Sequence, residues 1–369
     1  MSRARRIRLG IVLALSSFLL TVGLVEIALR LFIPLSEQPC PAFDADLGLY
    51  REPNQTGTFV VGPVGQVRGE YRINGAGWNS THEFTTEKPP GVYRIVVIGD
   101  SMVEALQVDF DQAYPEVVEA NLAASPACSH HERIEVYRFG ISGAPFSHYL
   151  SLMRHTAQYA PDLYIITIIS NDFDQSIEGQ GFKYFWKYRM NTDGSIEEVP
   201  PVPFSVPSRV DQWRGDNIAI LRYINGNLML QTRFHLWAEA RREREPKTLE
   251  QIRAEENAIR MVTDYSIREY LEVARSHESD LLLVMDTDRE AIHTGQPISP
   301  DWQHLHSLVN DAAEEVGVDV IDLTEAFTED FETHGERLGF TVDPHWNSHG
   351  HDVVAETVSN WIIDNGCGG

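Results

Sequence analysis

Ser101 closes the run Val96-Val97-Ile98-Gly99-Asp100-Ser101. A hydroxyl placed where an apolar strand turns toward a helix can be exposed, and neighbouring N–H groups can face an oxyanion. Gly143 ends Phe139-Gly140-Ile141-Ser142-Gly143, just past a second apolar run, where a glycine lets a ligand approach the backbone. Asn171, in Ser170-Asn171-Asp172, follows a third run and can offer its amide to the same crevice. The late segment Asp343-Pro344-His345-Trp346-Asn347-Ser348-His349-Gly350-His351 supplies an imidazole, with a carboxylate two residues before it. An imidazole can take a serine proton, and a carboxylate can hold its tautomer. Each piece alone is common. In this order they describe acyl transfer through a serine, with Ser101, Asp343 and His345 as its chemical core.

The elements that must position these groups are strands alternating with helices. Apolar runs at 93–98, 134–139, 163–169, 281–285 and 318–323 read as five strands. The third is nearly continuous in apolar residues, as a strand buried on both faces should be. Helices are expected near 112–124 and 147–159. Another begins at the capping box Thr248-x-x-Gln251, with Ile252, Ile259 and Val262 on one face. A last helix carries Val354, Val358, Trp361 and Ile362. This alternation predicts an α/β fold with a mainly parallel sheet covered on both sides, and sites outside the carboxyl ends of its strands. The stretch 173–245 interrupts the rhythm. It holds Phe182, Tyr184, Phe185, Trp186 and Tyr188, a Pro-rich segment at 200–207 and an amphipathic helix near 216–240, and reads as an insertion. Residues 35–91 read as a linker with irregular strands, so the catalytic domain is expected over 92–366.

Residues 1–34 read as a membrane anchor. Arg3, Arg5, Arg6 and Arg8 precede Leu9–Val25, which carries no charge; Glu26 and Arg30 follow before Pro34. A helix through Ile33 would cross a bilayer with Glu26 and Arg30 near the far interface, and the arginines would keep the rest extracytoplasmic. A cleaved signal peptide is the rival reading, but its apolar core would be shorter and end at a small-x-small site. With 30 Lys+Arg against 54 Asp+Glu, a net charge of -24, the chain repels phosphate backbones, so no nucleic acid partner is expected. Cys40, Cys128 and Cys367 are too few and too scattered for a disulfide scaffold or a zinc ribbon. One disulfide is allowed outside the cytoplasm, between a pair that spacing does not choose.

As a set, the four blocks resemble those of the SGNH hydrolases, the GDSL-type esterases. The first is similar to Val96–Ser101 with Tyr114-Pro115 after it, the second to Phe139–Gly143, the third to Ser170–Asp172 and the last to Asp343–His351. The resemblance covers roughly 92–364 apart from the insertion. It implies a flavodoxin-like three-layer α/β/α fold, with Ser101 as nucleophile, His345 as general base and Asp343 as its orienter. The Ser101 and Gly143 N–H groups and the Asn171 side chain would form the oxyanion hole, with no cofactor. One residue separates Asp343 from His345 where many members have two, and Ser170 stands where glycine is common. Asp100 and Asp172 are expected to shape the site.

Three other readings compete. His345, His349 and His351 with Asp343 could ligate zinc, but Pro344 and Gly350 argue for a loop, and Ser101 and Asn171 would then have no role. An O-acetyltransferase acting on an exported polysaccharide would use the same serine and differ only in its acceptor. A catalytically inactive binding or assembly subunit would not need all four blocks. The expected substrate is an ester or acylated carbohydrate with a short acyl group, because the first strand runs straight into Gly-Asp-Ser and no long apolar lid is visible.

Overall fold

A computed structural model describes residues 3–191, 193–203, 209–230, 233–234 and 249–368. Two compact units emerge. One comprises the described parts of Met1–Gln38, Thr58–Arg68 and Pro207–Glu243, and the other Pro39–Gly57, Gly69–Val206 and the described part of Arg244–Gly369.

The larger unit is built on a five-stranded parallel sheet: β1 (Val92–Gly99), β2 (Arg133–Gly140), β3 (Leu163–Ile168), β4 (Asp280–Met285) and β5 (Asp319–Asp322). The order across the sheet is β5-β4-β3-β1-β2. Register is pinned by pairs such as Gly99↔Gly140, Ile98↔Ile166 and Met285↔Ile168. This is the flavodoxin-like order, and its direction of winding reverses between β1 and β3. Every residue of β1 and β3 is buried, which explains runs that are mostly apolar rather than alternating, with Arg94 and Thr167 the polar exceptions.

Six helices cover the two faces: α1 (Tyr114–Ala124), α2 (Phe146–Thr156), α3 (Leu249–Ser276), α4 (Pro300–Val316), α5 (Leu323–His334) and α6 (Ser348–Asp364). Val96, Ile98, Phe139 and Ile166 pack against Phe146, Met153, Tyr270 and Val309 on one side. Ile95, Val97, Val136 and Ile165 pack against Val118, Phe327, Val354 and Val358 on the other. Alternate strand residues thus serve opposite layers, giving α/β/α. Each fully buried aliphatic side chain contributes roughly 1.5–3 kcal/mol. The helices α4 and α5 were not anticipated from sequence. Pro300 at the start of α4, Gly317 at its end and Asp322 capping α5 are the local signals that bound them.

Two helix expectations need correction. Ile252 is 39% exposed, because burial along α3 begins only near Ile259 and Val262 and its first turns project beyond the sheet. Thr248 of the expected capping box lies outside the described residues. The single amphipathic helix expected near 216–240 is instead Arg209–Asn217, Ala219–Arg222 and a π turn at Tyr223–Asn227. Ile218 is extended between the first two, which breaks the helix there. Residues 231–232 and 235–240 of that expectation, and 204–207 of the Pro-rich stretch, lie outside the described residues. Of the aromatic stretch, Phe185 and Tyr188 are core while Phe182 is 54% exposed. A disulfide joins Cys128 to Cys367 with 5.5 Å between Cα atoms, closing the last turn of the chain onto the segment after α1.

In the smaller unit the N-terminal helix runs Arg3–Phe32, with a mean hydropathy of 2.3 over its most apolar window and no part of that window buried. By length and composition it fits a membrane anchor or a signal sequence. Glu26 and Arg30 are paired with each other, and Glu26 also accepts from the N–H groups of Ala219 and Ile220 at 2.8 and 3.0 Å. The two charges are therefore neutralised within the protein, at the first turn of a helix whose open N–H groups favour an anion.

Candidate active site

Ser101 begins immediately after β1, as the first residue of the short helix Ser101–Glu104. Asp100 caps that helix, accepting from Met102 N at 2.9 Å, which fixes the sharp turn and lifts the serine out of the strand. Gly140, at the end of β2, packs so closely on the Val103–Glu104 backbone that an added Cβ would collide with it. The glycine is required by close approach, and it draws the end of β2 against the serine turn.

The Ser101 Oγ lies 2.7 Å from His345 Nε2 and 3.0 Å from Asp100 Oδ2. On the other side of the imidazole, His345 Nδ1 meets Asp343 Oδ1, and the same oxygen accepts from the His345 backbone N–H at 3.0 Å. One intervening residue thus suffices for the carboxylate to reach back to its own histidine. Burial works to raise the Asp343 carboxyl, but the hydrogen bond and charge of His345 outweigh it and hold the group below its ordinary value. Asp343 and His345 side chains are 7% and 19% exposed, so the pair is shielded while the imidazole edge stays reachable.

The loop bearing His345 is fastened from the end of β4. Asp286 accepts from Trp346 Nε1 at 3.0 Å and from Arg289 Nη2 at 3.1 Å, and Arg289 Nη2 also donates to Pro344 O at 2.7 Å. Trp346, after His345, is thus held by the buried Asp286 carboxylate, and Pro344, before it, by the Arg289 that pairs with that carboxylate. Sequence reasoning missed Asp286, although its place at the carboxyl end of a strand was signal enough; nothing local pointed to Arg289.

Gly143 and Asn171 follow β2 and β3, the strands on either side of β1. Gly143 has φ +80°, and a Cβ there would lie 2.7 Å from the Phe182 ring, so the position needs glycine and its outer side is an exposed aromatic face. The preceding Ser142 is held by Glu104, whose carboxylate accepts from both Ser142 N, at 2.8 Å, and Ser142 Oγ. Arg51 donates to the same carboxylate at 2.6 Å. Burial raises the Glu104 carboxyl, but Arg51 and Ser142 together hold it below its ordinary value. Glu104 was the second residue missed, an acid alone in an apolar run. Asn171 sits at the N-cap position of the short helix Asp172–Gln175 that follows, with no capping bond from its side chain. Asp172 is wholly buried, accepting from Ile169 N at 2.9 Å and Tyr149 Oη at 3.0 Å. Burial, then the nearby Asp100, pushes its carboxyl well above the ordinary range; burial likewise raises Asp100.

The three histidines of the late segment part company. His345 faces Ser101, His349 meets Asp330, and His351 is buried, accepting from Tyr114 N at 3.3 Å. Burial, then Arg138, takes the His351 imidazole down to about 3. A metal centre made of Asp343, His345, His349 and His351 does not assemble.

Residues 95–305 match the model of the GDSL-like Lipase/Acylhydrolase family, more than half of the chain. The chain belongs to that family. It is accordingly a carboxylic ester hydrolase of the SGNH superfamily. No curated protein matches it. Among solved structures it is similar to an acetyl xylan esterase, at 14% identity and TM-score 0.42, covering 73% of this chain and 99% of that one. A lipase/acylhydrolase from Enterococcus faecalis matches at 13% identity and TM-score 0.38, over 74% and 96% of the two chains. A catalytic mutant of an acetylxylan esterase from Geobacillus stearothermophilus matches at 14% and 0.39, over 73% and 94%.

Proposed function

We propose that this GDSL-type enzyme cleaves esters of short acyl groups through an acyl-enzyme on Ser101. The observation that carries the reading is the imidazole of His345, set between the Ser101 hydroxyl and the Asp343 carboxylate. As Ser101 Oγ bonds to the ester carbonyl carbon, its proton passes to His345 Nε2 and the carbonyl oxygen becomes an oxyanion. The Ser101 and Gly143 N–H groups and the Asn171 amide would receive that charge. Collapse breaks the bond to the alcohol oxygen, which takes the proton from His345. Water then attacks the acyl-enzyme, giving its proton to His345, and Ser101 leaves as the free hydroxyl. Asp343, kept ionised by its neighbour, stabilises the imidazolium in both halves.

The same acyl-enzyme could pass its acyl group to a sugar hydroxyl. The exposed Phe182 ring beside Gly143 favours an acylated carbohydrate on either route, since a flat apolar face suits the face of a pyranose ring. Turnover of p-nitrophenyl acetate by the full chain, absent in S101A, is the expected result; no turnover would overturn the reading. A clear preference for octanoate over acetate esters would overturn its acyl specificity. Incubation with an acetyl donor and an oligosaccharide separates transfer from hydrolysis.

The four arginines before the apolar helix support an uncleaved anchor with the catalytic unit outside the cytoplasm. The Cys128–Cys367 disulfide supports the same side, since such bonds persist in oxidising compartments. A C-terminal reporter that is active only in the cytoplasm would contradict this topology.

A further inference from the structure

We infer that Asp330, His334 and His349 form a binding site for one zinc-class divalent cation, tying the end of α5 to the start of α6. Asp330 and His334 stand one turn apart on α5, and His349 comes from the first turn of α6. His334 Nδ1 lies 2.9 Å from Asp330 Oδ1, and His349 Nε2 lies 2.6 Å from Asp330 Oδ2. One ligand atom from each of the three residues lies within 4.8 Å of the others. Donors bound about 2.1 Å from a zinc ion sit roughly 3.0–3.4 Å from one another in tetrahedral or octahedral arrangements. To seat an ion the two short contacts would lengthen by less than about 1 Å, and any wider pair would close by at most about 1.5 Å.

Two imidazoles and one carboxylate select zinc and its late transition-metal neighbours over magnesium or calcium, which prefer all-oxygen sets. Charge agrees, because the chain carries -24 and the three donors bring one negative charge and no fixed positive one. Exposure leaves a way in. Asp330 is 13% exposed and His349 22%, whereas His334 is 58% exposed, so a coordination position is left for water. His334 could satisfy both ring nitrogens in solvent, yet it turns onto the carboxylate that His349 approaches from another element.

The consequence is structural rather than catalytic. His349 lies four residues beyond His345, and between them Asn347 caps α6 through Gly350 N at 2.8 Å. An ion at this site would clamp the base of the segment that carries His345 without touching the reacting atoms. The inference stands independently of the ester chemistry, because binding and melting read it directly.

The test uses the full chain in detergent, stripped with a chelator and titrated with Zn²⁺ against a chromophoric competitor. Binding of one ion and a rise in Tm are expected, with no comparable rise for Mg²⁺. The double variant His334→Ala/His349→Ala should lose the Tm rise and bind at least about 10-fold more weakly, since even an outer partner of a ligand is worth that much. Asp330→Asn, which keeps the shape but replaces one carboxylate oxygen with an N–H donor and removes the charge, should weaken binding in the same direction. Equal Zn²⁺ affinity in parent and variants would overturn the site, as would an equal response to Mg²⁺. If the double variant does not fold, the parent alone decides. Co²⁺ should give visible d–d bands that Zn²⁺ abolishes, and their absence overturns the inference.

Discussion

Ser101→Ala and His345→Ala are each expected to reduce kcat by about 10⁴-fold or more, with the double variant little worse than either, because the two groups act as one unit. Asn171→Ala should cost about 10²–10³ in kcat with KM less affected, the pattern of a donor used only in the transition state. Asp343→Asn should also be severe. It keeps the size of the side chain but removes the charge that fixes the imidazole tautomer. Steady-state kinetics on p-nitrophenyl acetate check all four. At the same scale Phe182→Ala separates substrate from chemistry. It should raise KM for an acetylated oligosaccharide while leaving p-nitrophenyl acetate nearly unaffected, and equal effects on both would assign the ring to loop support instead. These residues were legible because each stands at a strand end or in the one late segment joining an imidazole to a carboxylate. Glu104 and Asp286 were not, because their meaning lies in contacts with Ser142, Arg51, Trp346 and Arg289, at distances along the chain that no local pattern encodes.

Two struts at the level of elements hold the proposed reacting groups, and the second gives a positioning prediction. Glu104 joins the serine turn to the loop after β2, and Asp286 joins the end of β4 to the loop before α6 through Trp346. Asp286→Asn should lower kcat without a matching change in KM and leave most of the secondary structure intact. Its Trp346 contact can survive, while the charged contact with Arg289 cannot. A variant whose KM rises as much as its kcat falls would place Asp286 in substrate binding instead. The sheet itself was readable from runs that are mostly apolar, since burial on both faces leaves a strand little room for polar side chains; the buried Arg94, Glu135 and Arg138 are the exceptions. The insertion was not readable to the same degree. Helical periodicity over 216–240 gave no warning of the break at Ile218, which occurs where Glu26, almost two hundred residues earlier, caps the next helix.

For the whole molecule, two buried imidazoles set a dependence on acidity. His148 and His351 are each taken by burial down to about 3, with Lys187 adding to the effect at His148 and Arg138 at His351. In the unfolded chain they return to about 6.5, so between that value and the folded one the unfolded chain binds more protons, and stability falls as pH falls. The raised carboxyls of Asp100 and Asp172 act in the opposite sense, being favoured in the fold when protonated. His148, both of whose nitrogens lack a hydrogen-bond partner among the described residues, isolates the first effect. His148→Leu should lose less Tm than the parent between about pH 7 and pH 5, and identical slopes would exclude His148 as a source. Opening the Cys128–Cys367 bridge, which spans 239 residues, should cost about 3–5 kcal/mol, measurable by denaturant unfolding of Cys128→Ser. The distance between Ser101 and His345 along the chain has a further meaning for biosynthesis. A nascent chain that has already made its first strand and Ser101 still lacks the proposed base, and the same late stretch that brings His345 also brings the helix covering one face of the sheet through Val354 and Val358. The reaction as proposed and the covering of that face of the core therefore both wait for the same stretch of chain. A product stalled before that stretch would lack the proposed base and would expose the apolar face that Val354 and Val358 otherwise cover.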